Sequence, residues 1–182
     1  MTKTLIKNKI QVPNMLLIAG NGRNVGKTTL ACRIIAHLSR QTEVTGIKIS
    51  SHFHEYAKKP LIEVKGKFVI LQEKEHTQKD SSLMLQAGAS KVFFVMAKRE
   101  YLHEAFLALN PLLGNNAVVC ESGGLNEIVE PGLFLFVNEK DRPVEKYWHL
   151  ETNPVPVQNN GTDFDMKIES ISFGDHQIKR SE

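Results

Sequence analysis

The chain has 182 residues, enough to bury one sizeable core and too few for two comfortable domains. Its 41% hydrophobic and 24% charged residues are the balance of a soluble globular protein, and no apolar run approaches the roughly 18 residues that span a bilayer. A formal net charge of +3 mildly favours anionic ligands, but there is no basic stripe interleaved with aromatics, so the chain is not expected to bind nucleic acid.

Residues 1–14 carry lysines but neither an apolar h-region nor a small-residue cleavage site, so they do not read as a signal peptide. Cys32 and Cys120 sit in apolar segments and are expected as buried thiols of a reducing compartment rather than a disulfide. The expected location is the cytoplasm, with no membrane partner.

Residues 15–20 (MLLIAG) form a short continuous apolar run ending in glycine, as in a strand buried on both faces of a parallel sheet. From Gly26 to about Arg40, apolar residues at Leu30, Ile34, Ile35 and Leu38 have helical spacing. Residues 43–50 (EVTGIKIS) read as a second strand, followed by the polar loop SSHFHEYAKKP. Residues 61–70 look like two strands joined through Lys65-Gly66-Lys67, a hairpin insertion of about 61–73. A short helix is expected over 80–88, stopped by Gly88, then a strand over 91–96 (KVFFVM). Residues 99–109 are expected as a helix that Asn110-Pro111 ends, and 117–120 (AVVC) and 133–137 (LFLFV) as two more strands. Phe93, Phe94, Phe134 and Phe136 are expected in the core. Residues 153–182 are weakly patterned, a loose tail or a small edge hairpin built from MKIES and ISFG, and carry no assigned chemistry.

The strongest motif runs from Gly20 to Thr29 (GNGRNVGKTT), between an expected strand and an expected helix. Small residues let a backbone wrap a phosphate with successive N–H groups pointing inward, and the helix adds unpaired amides and its positive end. Here Gly22, Arg23, Asn24, Val25, Gly26, Lys27, Thr28 and Thr29 are the expected nucleotide-binding residues. Lys27 supplies charge to the β and γ oxygens, and the Thr28 hydroxyl completes a Mg²⁺ shell. In G-x-x-x-x-G-K-[ST] the first glycine lies six residues before the lysine. That position holds Asn21, flanked by glycines at 20 and 22, and asparagine tolerates left-handed angles better than most residues.

An acid at the end of a neighbouring strand is needed to hold Mg²⁺ or its waters, and Glu121, directly after AVVC, is that candidate. In Glu121-Ser122-Gly123-Gly124 an acid and a glycine stand three apart, as in the switch of GTPases. The bland alternative is an acid capping a strand beside a flexible turn. Asn138 and Asp141 keep the spacing of a guanine-reading N-K-x-D motif, although Lys140 falls one place late, and a polar turn is the alternative. Asp80 is either a helix N-cap, with Ser81 or Ser82 as alternatives, or a contact to Mg²⁺ or an attacking water. His52, His54 and the more distant His76 lack a set that would complete a tetrahedral metal site. With Lys48 at a strand's C-terminal end, where α/β sheets bind ligands, His52 and His54 are candidates to touch phosphate or substrate.

The order R-N-V-G-K-T-T-L, a strand ending in Lys48 with a histidine loop, K-D-S-x-x-x-x-x-A-G-A (Lys79 to Ala89), and a strand ending in glutamate resembles the molybdopterin-guanine dinucleotide biosynthesis adapter family, the MobB-like P-loop proteins, over about residues 15–140. The resemblance implies a GTP- or ATP-binding protein of the dimeric P-loop class with weak hydrolysis. It also implies a homodimer and a partner nucleotidyltransferase that attaches GMP to the molybdenum cofactor. Gly26, Lys27, Thr28 and Thr29 would then bind phosphates and Mg²⁺, with Asp80 and Glu121 near the metal. The chain departs from that pattern at the first loop glycine, in the shortened histidine run SSHFHE, in C-E-S-G-G for V-E-G, and in Ser82-Leu83-Met84-Leu85-Gln86 before A-G-A.

The expected fold is α/β, a P-loop NTPase fold with a mostly parallel sheet flanked by helices and a small β-hairpin insertion. The NTP-binding domain is expected over 1–152, with 153–182 as its tail or edge hairpin. The expected function is a Mg²⁺-dependent NTP-binding protein and weak NTPase in which Lys27, Asp80 and Glu121 act catalytically and Thr28 and Glu121 hold the metal. The alternatives are a small-molecule kinase or ATP-dependent ligase, whose acceptor pocket His52, His54 and Lys48 would line, and a nucleotide-gated binding module with negligible hydrolysis.

Overall fold

A computed structural model describes residues 9–57, 59–139 and 153–181. The run Met15-Leu16-Leu17-Ile18-Ala19 is wholly buried, which only a central strand covered on both faces allows. That strand, β1 (Ile10–Gly20), begins five residues before the apolar run. Its early part pairs with a second long strand, β7 (Val129–Glu139), across a register shift between Val12 and Leu16. Pro13 lies in that shift. Proline has no N–H to give a ladder and is confined to such irregularities, which is why the first half of the strand is not legible as one.

The remaining strands are β2 (Val44–Ser50), β3 (Ile62–Val64), β4 (Phe68–Gln72), β5 (Lys91–Ala97), β6 (Ala117–Glu121) and β8 (Val155–Asn159). They form an eight-stranded sheet in the order β3-β4-β5-β2-β6-β1-β7-β8. From β5 to β8 every pairing is parallel. The expected hairpin insertion is β3 and β4, paired antiparallel and closing the β5 edge.

Helices cover both faces, because successive side chains of each strand alternate. Leu16, Ile18, Val92, Val119, Leu135 and Val137 pack with Leu30, Ala31, Ile34, Ile35 and Leu38 of α1 (Lys27–Leu38) and Met84 of α2 (Asp80–Gln86). Met15, Leu17, Phe93, Val118, Cys120, Phe134 and Phe136 pack with Leu102, Ala105, Phe106 and Leu109 of α3 (Leu102–Leu109). The helix expected from residue 99 is thus split, its first turn, Arg99–Tyr101, being a 3-10 turn. Phe94 is only half-buried, packing beside Tyr56 on the face beyond α2. Cys32 and Cys120 are both free thiols, Cys120 buried and Cys32 half-buried. Burial pushes the Cys32 thiol up to about 11 and the Cys120 thiol still higher. Among the described residues no helix is long and apolar enough to cross a membrane.

Beyond residue 153 the segment is not a loose tail. Strand β8 extends the sheet in parallel beside β7. The hairpin is not MKIES against ISFG: β9 (Ile171–Gly174) pairs with β10 (Gln177–Arg180), while Ile168–Ser170 is a 3-10 turn. The two-residue connection, Asp175 and His176, has φ of 51° and 57°, the two left-handed angles of a type I′ hairpin turn. Asp-His lacks the Asn-Gly signature of that turn, so the hairpin is hidden in the sequence. Ile171 and Ile178 are buried against the α1 side of the sheet.

Phe106 carries the α3 contact and is 1% exposed. Phe106→Ala is expected to lower the unfolding free energy by about 3–5 kcal/mol in denaturant titration. A loss below about 1 kcal/mol would contradict this packing.

Candidate functional site

All the parallel strands end on one side of the sheet, and the sequence motifs collect there. Strand β1 ends at Gly20, where a Cβ would lie 2.8 Å from the Val137 carbonyl oxygen. The same carbonyl accepts the Asn21 N–H at 2.9 Å. The loop then turns through left-handed angles at Gly22 (φ 107°), Asn24 (φ 60°) and Gly26 (φ 93°). Asparagine does substitute for glycine in this loop, but at Asn24. Asn21 has no left-handed angle and is buried. Val25 is buried and anchors the loop on the α1 side. Arg23, Asn24 and Thr29 are exposed.

Gly26 caps α1 with no side-chain cap, and no acidic residue stands in the helix's first turn. The first backbone N–H groups of a helix have no intrahelical partner and carry its positive end. Lys27, the first residue of α1, folds back so that its ammonium donates to the Gly22 carbonyl at 2.5 Å.

Beside the loop stands a chain of charges. The Thr28 hydroxyl donates to Glu121 Oε2 at 2.7 Å, and Lys48 Nζ donates to Glu121 Oε1 at 2.6 Å. The same ammonium lies 2.6 Å from Asp80 Oδ2. The sheet sets this up. Lys48 and Glu121 are register partners on adjacent parallel strands. Their neighbours Ile47 and Cys120 face α3, so Lys48 and Glu121 face α1 and α2. Burial alone would lower the Lys48 pKa, but the Glu121 charge, then hydrogen bonds and charge from Asp80 and Glu121, outweigh it and the net shift is upward. Asp80 is not an N-cap. Lys79 holds that position without a side-chain cap, and Asp80 stands in the first turn.

Of the three candidate histidines, His52 meets the glycine loop and the other two have surroundings of their own. His52 lies 3.1 Å from the Arg23 guanidinium, His54 stacks on Phe94 with ring centroids 6.4 Å apart, and His76 is exposed elsewhere. With Lys48 between two carboxylates, the three residues expected to line an acceptor pocket have three different surroundings. No group of three His, Cys, Asp or Glu among the described residues gathers as a metal set. The Gly124 amide donates to Ser122 Oγ at 3.4 Å, drawn into the turn after β6. Asn138 ends the apolar part of β7, and its Oδ1 is buried without a hydrogen-bond partner. Asp141 lies outside the described residues.

One contributor is absent from the sequence reading. Asn159, at the end of β8, donates from Nδ2 to the Val25 carbonyl at 3.1 Å. It lies in the weakly patterned stretch after residue 153, and no spacing ties it to a loop 134 positions earlier.

No protein-family model, curated protein or solved structure matches the chain. The site's chemistry therefore stands on its own geometry.

Lys48→Met would leave Glu121 buried with its largest charge partner gone, which should destabilise the protein by about 3 kcal/mol at neutral pH. Because the folded pKa of Lys48 is raised, its stabilisation is fully present below 10.5 and is lost as pH climbs past that value. Between neutral pH and that value the gap between wild type and Lys48→Met in denaturant titrations should accordingly hold steady, and above it the gap should narrow. A gap already closed at pH 8 would contradict the assignment.

Proposed function

We propose that this chain binds a nucleoside triphosphate, GTP or ATP, with its phosphates on the loop from Gly20 to Thr29, and hydrolyses it weakly. The observation that carries the reading is the hydrogen bond from Thr28 to Glu121, set beside an uncapped helix start and a loop with three left-handed turns. Mg²⁺ is held in such sites by one or two protein oxygens, the rest of its shell being phosphates and water. Thr28 Oγ1 and Glu121 Oε2, hard oxygens 2.7 Å apart at the loop's edge, fit that demand. A bound Mg²⁺ would neutralise charge on the β and γ phosphates.

The chain's own groups account for the remaining chemistry. Lys27 exchanges the Gly22 carbonyl for phosphate oxygens and stabilises charge on the β–γ bridge. Glu121 orients the Thr28 hydroxyl. Asp80, fixed on Lys48, would orient water. Asn138 and Asp141 are the candidates for reading the base. The P-loop fold and the adapter role follow from the same reading: an NTP-driven, homodimeric helper of a partner enzyme in cofactor biosynthesis, as in the MobB-like family that the motifs resemble.

Lys48 favours the nucleotide-gated binding module over the kinase or ligase. Its ammonium sits on both carboxylates that hydrolysis would use, which suits slow turnover that a partner accelerates.

The test is a thermal-shift titration with GTP, ATP and their diphosphates, with and without Mg²⁺. A nucleotide at 100 times its Kd should add about 2.7 kcal/mol to stability. Lys27→Ala should weaken binding about 100-fold through loss of charge-assisted bonds, with the nucleotide-free melting point unchanged. Unaltered affinity in the folded variant would defeat the site assignment.

A further inference from the structure

We propose that Asn159 is a positioning residue of the glycine loop, so that the C-terminal end of β8 belongs to the nucleotide site. The inference rests on the nucleotide-binding reading above. Both ends of the Asn159 amide are engaged. Nδ2 donates to the Val25 carbonyl at 3.1 Å, and Oδ1 accepts the Gly161 N–H at 2.8 Å. A flipped amide would place two acceptors together at Val25 and two donors together at Gly161, so the orientation is fixed from both sides.

The consequence for the loop follows from peptide geometry. The Val25–Gly26 peptide is planar and trans, so its C=O and N–H point in opposite directions. Holding the carbonyl toward Asn159 aims the Gly26 N–H away from β8. In the nucleotide reading, that N–H is one of the amides offered to phosphate.

The contact is close enough to act as a stop. A Cβ on Gly26 would meet Asn159 Nδ2 at 2.5 Å and the Phe164 ring at 3.2 Å. The turn that carries Asn159 is itself braced on α1. Asp163 Oδ1 accepts from Arg33 Nη1 at 2.5 Å, and the Arg33 guanidinium lies 5.3 Å from the Phe164 ring centroid. Within the turn, Asn160 N–H donates to the Asp163 carbonyl and Asp165 N–H to the Gln158 carbonyl. Loop and brace therefore converge on one helix, whose N-terminus the loop opens and whose flank the turn grips.

Two variants test this, each read by amide hydrogen exchange without nucleotide and by affinity for Mg²⁺-GTP and Mg²⁺-ATP. Asn159→Ala removes the bond to Val25. It should speed exchange at Gly26 and its loop neighbours while leaving the β9–β10 hairpin unchanged, and weaken nucleotide binding about tenfold. Asp163→Ala cuts the tether to Arg33 but keeps Asn159, and should leave loop exchange and affinity within about twofold of wild type. Wild-type exchange and affinity in Asn159→Ala would overturn the proposal. So would an Asp163→Ala variant that reproduces the full affinity loss, since the segment would then contribute stability alone. If wild type binds neither nucleotide, the functional reading fails, and the exchange comparison still decides whether Asn159 orders the loop.

Discussion

The carboxylate of Glu121 is only 3% exposed, and a buried anion must be paired and hydrogen-bonded or it destabilises the fold that contains it. Its partners come from two elements, and a third joins through Lys48. Thr28 reaches it from the first turn of α1 and Lys48 from the neighbouring strand, while Asp80 of α2 shares the Lys48 ammonium. One charge thus ties the helix after the glycine loop, two central strands and the second helix on that face. Their relative positions are set by satisfying it.

Parallel topology explains why this network and the glycine loop share an edge. With β5, β2, β6, β1, β7 and β8 all running the same way, the C-terminal ends of β1, β2 and β6 lie side by side. Ligands of open α/β sheets bind beyond those ends. The loop is held there on both sides. Toward β7 and β8 it rests on the Val137 carbonyl and Asn159. Toward β6 and β2 it faces Thr28, Glu121 and Lys48. Two of the loop's three left-handed residues are glycines, which take such angles without strain, and the third, Asn24, is of a type that tolerates them.

Much of this was legible in the sequence because it is local. Continuous apolar runs marked the central strands, the 3.6-residue spacing of Leu30, Ile34, Ile35 and Leu38 marked α1, and Gly-Lys-Thr placed the helix start. Glu121 and Asp80 were named from their places at element ends, and both joined one network. What the sequence hid depended on distant partners. Pro13 and Pro131-Gly132 broke the patterns of β1 and β7, although the strands continue through them. For Lys48 the sequence shows a strand's C-terminal end and a candidate ligand contact, and nothing local shows that register sets it against Glu121. Asn159 falls in the weakly patterned stretch after residue 153, and its partner in the glycine loop is 134 positions away.

The most direct measurement is a backbone amide NMR titration of the ¹⁵N-labelled protein with Mg²⁺-GTP and Mg²⁺-ATP. Saturable shifts are expected, centred on the amides of Gly22 to Thr29, with weaker ones at Glu121 and the end of β2, for at least one nucleotide. Saturating nucleotide that leaves those amides unmoved, or moves only amides at the opposite end of the sheet, would contradict nucleotide binding at this loop.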